Sequence, residues 1–266
     1  MTIRTAALLT ALGTATAAIA GPTFVAFGNN TMYRFGASGP IDTFTLNDKM
    51  MSLTTDPSGR IIGHSAERNF GQQWESYELL GANTNAPSLS MLSDQVPGPR
   101  PTLSFAGSTA YSARDGGGFA ELITVDSGTL IDNGLVGPLN VQDGVNGSGY
   151  DAVNDVLYGI NRDLDALVII NRNTGNASPV GSLGLDYFNG GAEFHNGVLY
   201  AFVQDLGTQT LVFGSVNTTS GLFTAIRTID TYNPNETTFM SLALVPAPAS
   251  LGLLAMGGLV ASRRRR

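Results

Sequence analysis

Few side chains in this sequence have the types and spacing that catalysis or metal binding requires. The chain contains two histidines, His64 and His195, and no cysteine. In Glu193-Phe194-His195, the two polar side chains point to the same side of a strand, because side chains alternate along it. They are candidate ligands of a transition-metal ion, but such a site needs a third ligand that the sequence does not place. The alternative interpretation is a strand end that faces a channel or solvent.

A second candidate site lies in a segment rich in Asp, Asn and Gly that follows residue 142. Oxygen atoms of Asp143, Asn146 and Asp151 are suitable calcium ligands, although the segment lacks the spacing and closing Glu of an EF-hand loop. The same composition is typical of turns between strands. Calcium is therefore the one candidate cofactor, and otherwise no cofactor and no catalytic residue is predicted.

Motifs of several enzyme classes are missing from the sequence. No Gly-x-Ser-x-Gly elbow lies between a strand and a helix. The glycine-rich stretch that starts at Arg114 lacks the Lys-Ser/Thr of a phosphate loop. Trp74 with Tyr77 could stack on a sugar ring, but residues i and i+3 of a regular strand point to opposite faces. Core packing is the favoured role for at least one of these two aromatic residues.

The charge and the cysteine count exclude further classes. The chain has 14 basic and 21 acidic residues, and removing Arg4 and the four terminal arginines leaves nine basic residues and a net charge of about −12. Nucleic acid is excluded as a partner, because its recognition needs basic surface. Without cysteine, the protein has no disulfide, no thiolate zinc site and no cysteine nucleophile, so its core and topology alone must stabilise it.

The elements that must position any site are short strands. Runs rich in β-forming residues recur between clusters of Gly, Asn, Asp and Pro, namely Phe24–Phe27, Arg60–Gly63, Glu121–Val125, Leu167–Ile170 and Thr210–Phe213. Many short strands separated by turn residues are typical of a β-sandwich, a barrel or a propeller.

A repeat distinguishes among these architectures. Turn glycines recur at steps of 42 to 47 residues, at Gly39, Gly81, Gly128, Gly175 and Gly221. A period of this length with several strands per unit is the signature of a propeller blade. We predict an all-β fold, a five-bladed β-propeller over residues 21–245. A β-sandwich would explain the strands but not the glycine spacing, and four or six blades are the alternative counts.

The two ends of this body predict how the ring closes. The chain enters the body on Phe24–Phe27 and then Met32–Phe35, which match the second and third strands of a blade. The first strand of that blade is missing, while Thr238–Leu244 forms a lone strand with no blade after it. We predict that this last strand pairs beside Phe24–Phe27, which would remove the open sheet edges.

The N-terminal residues 1–20 have the composition of a secretory signal. Arg4 precedes an apolar stretch that is predicted to form a helix, and small residues stand at Ala18 and Ala20. This pattern predicts cleavage after Ala20.

Residues 246–266, with Val245 before them, form a second targeting segment. Val245-Pro246-Ala247-Pro248 is followed by an apolar run from Ala249 to Ala261 and then by Arg263-Arg264-Arg265-Arg266. A short apolar helix closed by arginines is typical of a membrane stop with its tail in the cytoplasm. The run of roughly 14 to 16 residues is shorter than the usual span of about 20. It therefore suits either a segment that is held briefly and then removed or an anchor in a thin membrane.

The leader together with this tail resembles the PEP-CTERM sorting signal of exopolysaccharide-producing Gram-negative bacteria. Ala247 stands where that family usually has Glu, whereas Pro246 and Pro248 match. The resemblance implies recognition and cleavage by an exosortase, a membrane cysteine transpeptidase-like enzyme. It also implies export to the cell envelope, the outer surface or the medium, with exopolysaccharide as a candidate partner.

Three functions are compatible with these features. The first is a non-catalytic surface or matrix protein sorted by its tail. The second is a binding module for a glycan or calcium, which predicts a higher melting temperature in the presence of that ligand. The third is a propeller hydrolase or lactonase with a channel metal, which predicts that polar side chains such as Asp56, Asp151, Glu193 and His195 converge at one end of the channel. We favour the first, which is not an enzyme.

Overall fold

The computed structural model describes residues 21–68, 74–115, 120–141, 144–232 and 239–247. The predicted signal peptide, with Ala18 and Ala20, lies outside the described residues. So do Asp143 and the part of the predicted sorting tail from Pro248 to Arg266. Within the described residues, no helix is long and apolar enough to cross a bilayer.

Every regular element in the described part of the chain is a β-strand. Blade 1 contains β1 (Thr23–Gly28), β2 (Thr31–Gly36) and β3 (Ile41–Thr45). Blade 2 contains β4 (Met50–Thr55), β5 (Ile61–Arg68), β6 (Trp74–Leu80) and β7 (Ser88–Val96). Blade 3 contains β8 (Ser104–Ala106), β9 (Thr109–Asp115), β10 (Ala120–Val125) and β11 (Asp132–Pro138). Blade 4 contains β12 (Val145–Asp151), β13 (Val156–Asn161), β14 (Ala166–Ile170) and β15 (Ala177–Ser182). Blade 5 contains β16 (Tyr187–His195), β17 (Val198–Asp205), β18 (Thr210–Val216) and β19 (Phe223–Thr231), and β20 (Met240–Val245) ends the described strands.

These strands form five antiparallel four-stranded sheets, which confirms the predicted five-bladed propeller. In blades 2 to 5 the strand order follows the chain, with the first strand innermost and the fourth outermost. Blade 1 has the order β20-β1-β2-β3, so its innermost strand comes from the far end of the chain.

The core is divided into five clusters, and each cluster lies between two neighbouring blades. Strand β1 shows why its sequence is apolar from Phe24 to Phe27. Phe24 and Ala26 face blade 5, whereas Val25 and Phe27 face blade 2. Because successive side chains alternate between the two faces of a sheet, a strand that is covered on both faces needs a continuous apolar run rather than an alternating one.

The C-terminal strand closes the ring as predicted. Strand β20 pairs antiparallel with β1 over its whole length, from Thr23 opposite Val245 to Gly28 opposite Met240. The Phe239 carbonyl also accepts a hydrogen bond of 2.9 Å from the Asn29 amide. The first and last strands of the body therefore complete one sheet, and the prediction that Met240–Leu244 lies beside Phe24–Phe27 is confirmed.

The recurring glycines mark the turn between the third and fourth strands of each blade. In blades 3 to 5, this turn opens with Asp126, Asn171 or Asn217. Each of these side chains accepts hydrogen bonds from the amides two and three residues further on. Short Asp and Asn side chains stabilise turns in this way.

One glycine of the predicted repeat is out of register. In blades 4 and 5, Gly175 and Gly221 have positive φ angles, and their amides donate to the residue that opens the turn. In blade 3 the same hydrogen bond comes from Leu130, which has a φ of 59°. Leu130, and not Gly128, is therefore the residue of blade 3 that corresponds to Gly175 and Gly221. It adopts the left-handed conformation that glycine has in blades 4 and 5.

Each of these turns, or the first residue after it, contacts the preceding blade. The Ala177 amide at the start of β15 donates to Leu139 O, which follows blade 3, at 2.8 Å. The Phe223 amide donates to Leu183 O, which follows blade 4, at 2.9 Å. At the blade 2–3 junction, the Ser76 hydroxyl donates to Thr129 O at 2.7 Å. These bonds join consecutive blades through backbone carbonyls in addition to the apolar clusters.

Arginines form the same connection on either side of blade 1. Arg34 of blade 1 donates to Ala82 O in the turn of blade 2 at 3.3 Å. Arg227 of blade 5 donates to Gly36 O at the end of β2 and to Gly39 O in the turn that follows, at 3.0 and 3.1 Å. All five junctions therefore use the turn between the third and fourth strands or a residue next to it.

Replacing the turn glycine of blade 5 tests this connection. Gly221 and Gly197 have the same φ of 82°, but a Cβ at Gly221 would lie 2.2 Å from Gly181 O, whereas a Cβ at Gly197 meets nothing within 4 Å. We expect Gly197→Ala to lower the free energy of unfolding by about 1 kcal/mol, the cost of a left-handed alanine. Gly221→Ala should cost roughly 3 kcal/mol or more, because blade 5 must also move away from blade 4.

Urea unfolding of the two variants, compared with the unmodified protein, measures both costs. Equal losses of stability in Gly197→Ala and Gly221→Ala would contradict the close contact between blades 4 and 5.

Candidate functional site

The centre of the ring is formed by β20, β4, β8, β12 and β16, and its small residues allow close approach. A Cβ at Gly191 of β16 would lie 2.3 Å from Leu242 N of β20, and a Cβ at Gly147 of β12 would lie 3.0 Å from Ala192 N of β16. At these positions the innermost strands are in backbone contact. Glycine is required there because any side chain would separate the strands.

Hydroxyl groups join two further pairs of innermost strands. Ser104 of β8 and Ser148 of β12 share a hydrogen bond of 2.7 Å between their Oγ atoms. Thr55 of β4 donates from Oγ1 to Leu244 O of β20 at 2.5 Å. The buried Ser104 and Ser148 hydroxyls therefore satisfy each other, whereas the buried Ser241 Oγ of β20 has no hydrogen-bond partner among the described residues.

Glu193 is the carboxylic acid of this central region. Thr54 of β4 donates from Oγ1 to Glu193 Oε2 at 3.1 Å, and so joins blade 2 to blade 5. Burial raises the pKa of Glu193 to about 8, although the hydrogen bonds from the Thr54 hydroxyl and the Thr55 amide act in the opposite direction. The residue as a whole keeps some accessible surface. Glu193 therefore holds its proton at neutral pH inside the folded protein.

Asp56 and Asp151, the other acidic candidates, are engaged in their own turns. Asp56 accepts hydrogen bonds from Ser58 and from the backbone and side chain of Arg60. Asp151 accepts from the Val153 and Asn154 amides and from the Asn154 side chain. Burial raises the pKa of each carboxyl, but these hydrogen bonds outweigh it and the net pKa is lowered. Both residues act as ionised turn caps.

The two histidines also lie in separate environments. His195 Nε2 is 2.9 Å from the side-chain Nδ2 of Asn196 in an exposed hairpin. His64 is fully buried, with Nδ1 3.0 Å from Ser52 Oγ and Nε2 3.2 Å from Leu130 O. Burial lowers the pKa of His64 to about 3, against a smaller opposite effect of the hydrogen bond to Leu130 O. His64 is therefore a neutral connector of blades 2 and 3.

Among the described candidates, Asp56, Asp151, Glu193 and His195 each contact different partners, whereas Asp143 lies outside the described residues. The described residues contain no group of three or more His, Cys, Asp or Glu that could hold a metal ion. Asn146, the second of the three calcium candidates, is buried on β12. Its backbone carbonyl accepts a hydrogen bond from the Tyr187 hydroxyl. The carboxyl of Glu193 contacts Thr54, whereas His195 contacts Asn196.

Trp74 and Tyr77 lie on β6, and Tyr77 has the predicted core role. The Tyr77 ring packs against the cluster between blades 1 and 2, and its hydroxyl donates to Glu75 Oε2 at 2.5 Å. Burial, followed by the hydrogen bond to Glu75, raises the pKa of Tyr77. Tyr77 therefore does not present a free ring face together with Trp74.

A buried ionic cluster in blade 3 was not predicted. Arg100 is fully buried and donates from Nη2 to Asp132 Oδ1 at 2.5 Å, while Arg114 donates from Nη1 to Asp132 Oδ2 at 2.6 Å. Burial lowers the pKa of Arg100, and the bond to Asp132 only partly compensates. Arg100 Nε has no hydrogen-bond partner among the described residues. A buried ion pair of this kind fixes local geometry more than it adds stability.

Comparisons with known proteins identify the class of fold. No family model and no curated protein matches the sequence. One chain of a nidogen/laminin complex matches the structure with a TM-score of 0.50 at 10% identity, over 85% of this chain and 99% of that chain. A protein of unknown function from Bacteroides caccae matches with a TM-score of 0.44 at 12% identity, over 79% of this chain and 73% of that chain. The first likeness supports a β-propeller body and, at this identity, the fold alone.

The protonated state of Glu193 predicts a specific pH dependence. The folded protein binds this proton up to a pH of about 8, whereas the ordinary pKa of a glutamate is 4.5. The protonated carboxyl of Glu193 therefore makes its full contribution to the free energy of unfolding below pH 4.5. This contribution falls as the pH rises towards 8. Glu193→Gln should remove that loss. We expect the variant to be about as stable as the unmodified protein at pH 5 and about 1 to 2 kcal/mol more stable at pH 8, a figure reduced for partial exposure.

Urea unfolding at pH 5, 6.5 and 8 measures the effect. Thr54→Val, which removes a hydrogen bond to the ionised form, should make the decline with pH steeper. If the stability curves of Glu193→Gln and the unmodified protein stay parallel over this range, the carboxyl is ionised in the folded protein.

Proposed function

We propose that this chain is an exported, non-catalytic β-propeller that acts as a structural or interaction protein at the cell surface or in the extracellular matrix. The observation that carries the proposal is the separation of its polar candidates. Asp56 and Asp151 accept hydrogen bonds within their own turns, Glu193 accepts one from Thr54, and His195 contacts its hairpin neighbour Asn196. An active site needs several such groups around one reacting atom.

The position of the chain ends supports attachment through the tail. Thr23 and Val245 are paired on neighbouring strands, and Pro246 packs beside the turn at Gly59. The predicted signal cleavage site and the predicted sorting tail therefore adjoin the same face of the propeller, the face on which the innermost strands end. A tether at this face would leave the opposite face directed away from the membrane.

We further propose that an exosortase-type enzyme recognises the tail and that the apolar segment holds the protein in the membrane, either transiently or permanently. Val245, Pro246 and Ala247 support this assignment by their accessibility, because Val245 and Pro246 are partly exposed and Ala247 is exposed. An enzyme can reach Pro246 and Ala247, which follow β20, without opening a blade. Exopolysaccharide is the proposed partner, and the acidic body disfavours nucleic acid.

Mass spectrometry of the protein recovered from cells and medium tests the sorting proposal. We expect the released form to begin at Gly21 and to lack the residues after Pro248. The double variant Pro246→Ala/Pro248→Ala alters the recognition sequence outside the blades, so it should fold normally and retain its tail. An intact arginine tail in every fraction would instead make the protein a permanent membrane protein and would contradict processing.

A further inference from the structure

The sequence contains four Asn-Gly pairs, and the structure places them in different environments. In such a pair the glycine nitrogen can attack the Asn side-chain carbonyl carbon, because the following residue has no side chain to obstruct it. The attack requires a nitrogen that is not held by another group, room for the backbone to rotate, and access for water. The four pairs are Asn133-Gly134, Asn146-Gly147, Asn189-Gly190 and Asn196-Gly197.

Two of these pairs are held inside the blades. Asn146 is buried, and the Gly147 amide donates to Pro101 O at 3.2 Å. Gly190 is also buried, and its amide donates to Asn189 Oδ1 at 3.1 Å. A Cβ added at either glycine would lie within 3.0 Å of the backbone of a neighbouring strand. Neither pair therefore has the room that the attack requires.

Asn196-Gly197 is the exposed two-residue turn between β16 and β17. The φ angles of Asn196 and Gly197 are 49° and 82°, as in the hairpin turns that favour Asn-Gly. A Cβ at Gly197 meets nothing within 4 Å, and the Gly197 amide makes no hydrogen bond to the described residues. This pair therefore has a nitrogen that is not held, space around it, and contact with solvent.

Asn133-Gly134 is also exposed, but it lies within strand β11. Gly134 is paired with Thr124 of β10, and a Cβ at Gly134 would lie 3.3 Å from Thr124 Oγ1. Rotation of this backbone would break the pairing of the two strands. Asn133 is therefore a reference site inside the same protein, with the same dipeptide and exposure but a more restrained backbone.

His195 adds a chemical group to the hairpin pair. Its Nε2 is 2.9 Å from Asn196 Nδ2, which is the nitrogen that must leave. An amide nitrogen is a poor proton acceptor, but it becomes an amine once the Gly197 nitrogen has bonded to the side-chain carbon. An imidazole at this distance can then supply the proton that the leaving ammonia needs.

We propose that Asn196 is a site of spontaneous deamidation, with His195 as the general acid. The Gly197 nitrogen releases its proton to solvent and bonds to Asn196 Cγ. The Cγ–Nδ2 bond breaks, and Nδ2 leaves as ammonia with a proton from His195, which recovers a proton from solvent. Water then opens the resulting succinimide ring at either carbonyl, which gives aspartate or isoaspartate. The net reaction consumes water and releases ammonia, so no enzyme is required.

This modification goes beyond the proposed structural role and acts on the face from which the predicted tail leaves. Turns between the first and second strands of the blades lie on that face, where Gly59 of blade 2 packs beside Pro246. Asn196 is in the same turn of blade 5. Deamidation adds a carboxylate to this face. Isoaspartate also lengthens the main chain of a hairpin whose register is set by a two-residue turn.

Peptide mass spectrometry of the folded full chain, aged in mild detergent at constant temperature and neutral pH, tests the proposal. We expect Asn196 to be converted faster than Asn133, to both products, while Asn146 and Asn189 stay intact. His195→Gln should slow the conversion of Asn196 by about tenfold, which is less than the effect of a positioned acid in a closed site. Conversion of Asn133 in the same samples is the control and should not change.

Gly197→Ala is a second variant, directed at the attacking nitrogen. It should slow the conversion of Asn196 by roughly tenfold, because alanine restricts the backbone rotation that ring closure requires. Thermal unfolding establishes that both variants are folded. Conversion of Asn196 that is no faster than that of Asn133 overturns the proposal. A rate in His195→Gln that is unchanged or higher also overturns it, because the imidazole would then be a bystander or would protect the amide.

Discussion

The pairing of β20 with β1 is the interaction on which the rest of the propeller depends. Without β20, blade 1 would have three strands, and the inner edge of β1 would be open. Two of the five core clusters would also lose members, because Ala243 packs between blades 1 and 2 while Met240 and Leu242 pack between blades 5 and 1. A chain without disulfides has no covalent substitute for this closure. The closing strand therefore couples the two ends of the sequence in one cooperative unit.

Between the remaining blades, the fold depends on one recurring turn. The turn between the third and fourth strands, or the first residue after it, contacts the preceding blade in every case. The contacts are backbone hydrogen bonds in blades 4 and 5, a bond from the Ser76 hydroxyl to the turn of blade 3, and bonds from Arg34 and Arg227 on either side of blade 1. Where the contact is tightest, glycine faces glycine, as at Gly181 and Gly221. The glycine period of the sequence thus reflects the junctions between blades and not only the need for a tight turn.

The fold was largely predictable from the sequence, because the strands, the period and the spare terminal strand are local patterns. Gly128 was assigned wrongly, since Leu130 adopts the left-handed conformation that glycine has elsewhere.

The candidate site was less predictable than the fold. The partner of Glu193 is Thr54, 139 residues away, and only the closed ring brings them together. The pairing of Arg100 with Asp132 likewise depends on how the loop before β8 enters blade 3, which no spacing reveals.

The central claim is that the two ends of the body form one sheet in a fixed register, and a designed disulfide tests it directly. The chain has no cysteine of its own. Thr23 and Val245 are directly paired and partly exposed, and paired antiparallel residues lie within disulfide reach. The double variant Thr23→Cys/Val245→Cys should form an intramolecular disulfide under mild oxidation, whereas Thr23→Cys/Ala247→Cys, offset by two residues, should not. No disulfide in the paired variant, or equal yields in both, would contradict the closure of the ring.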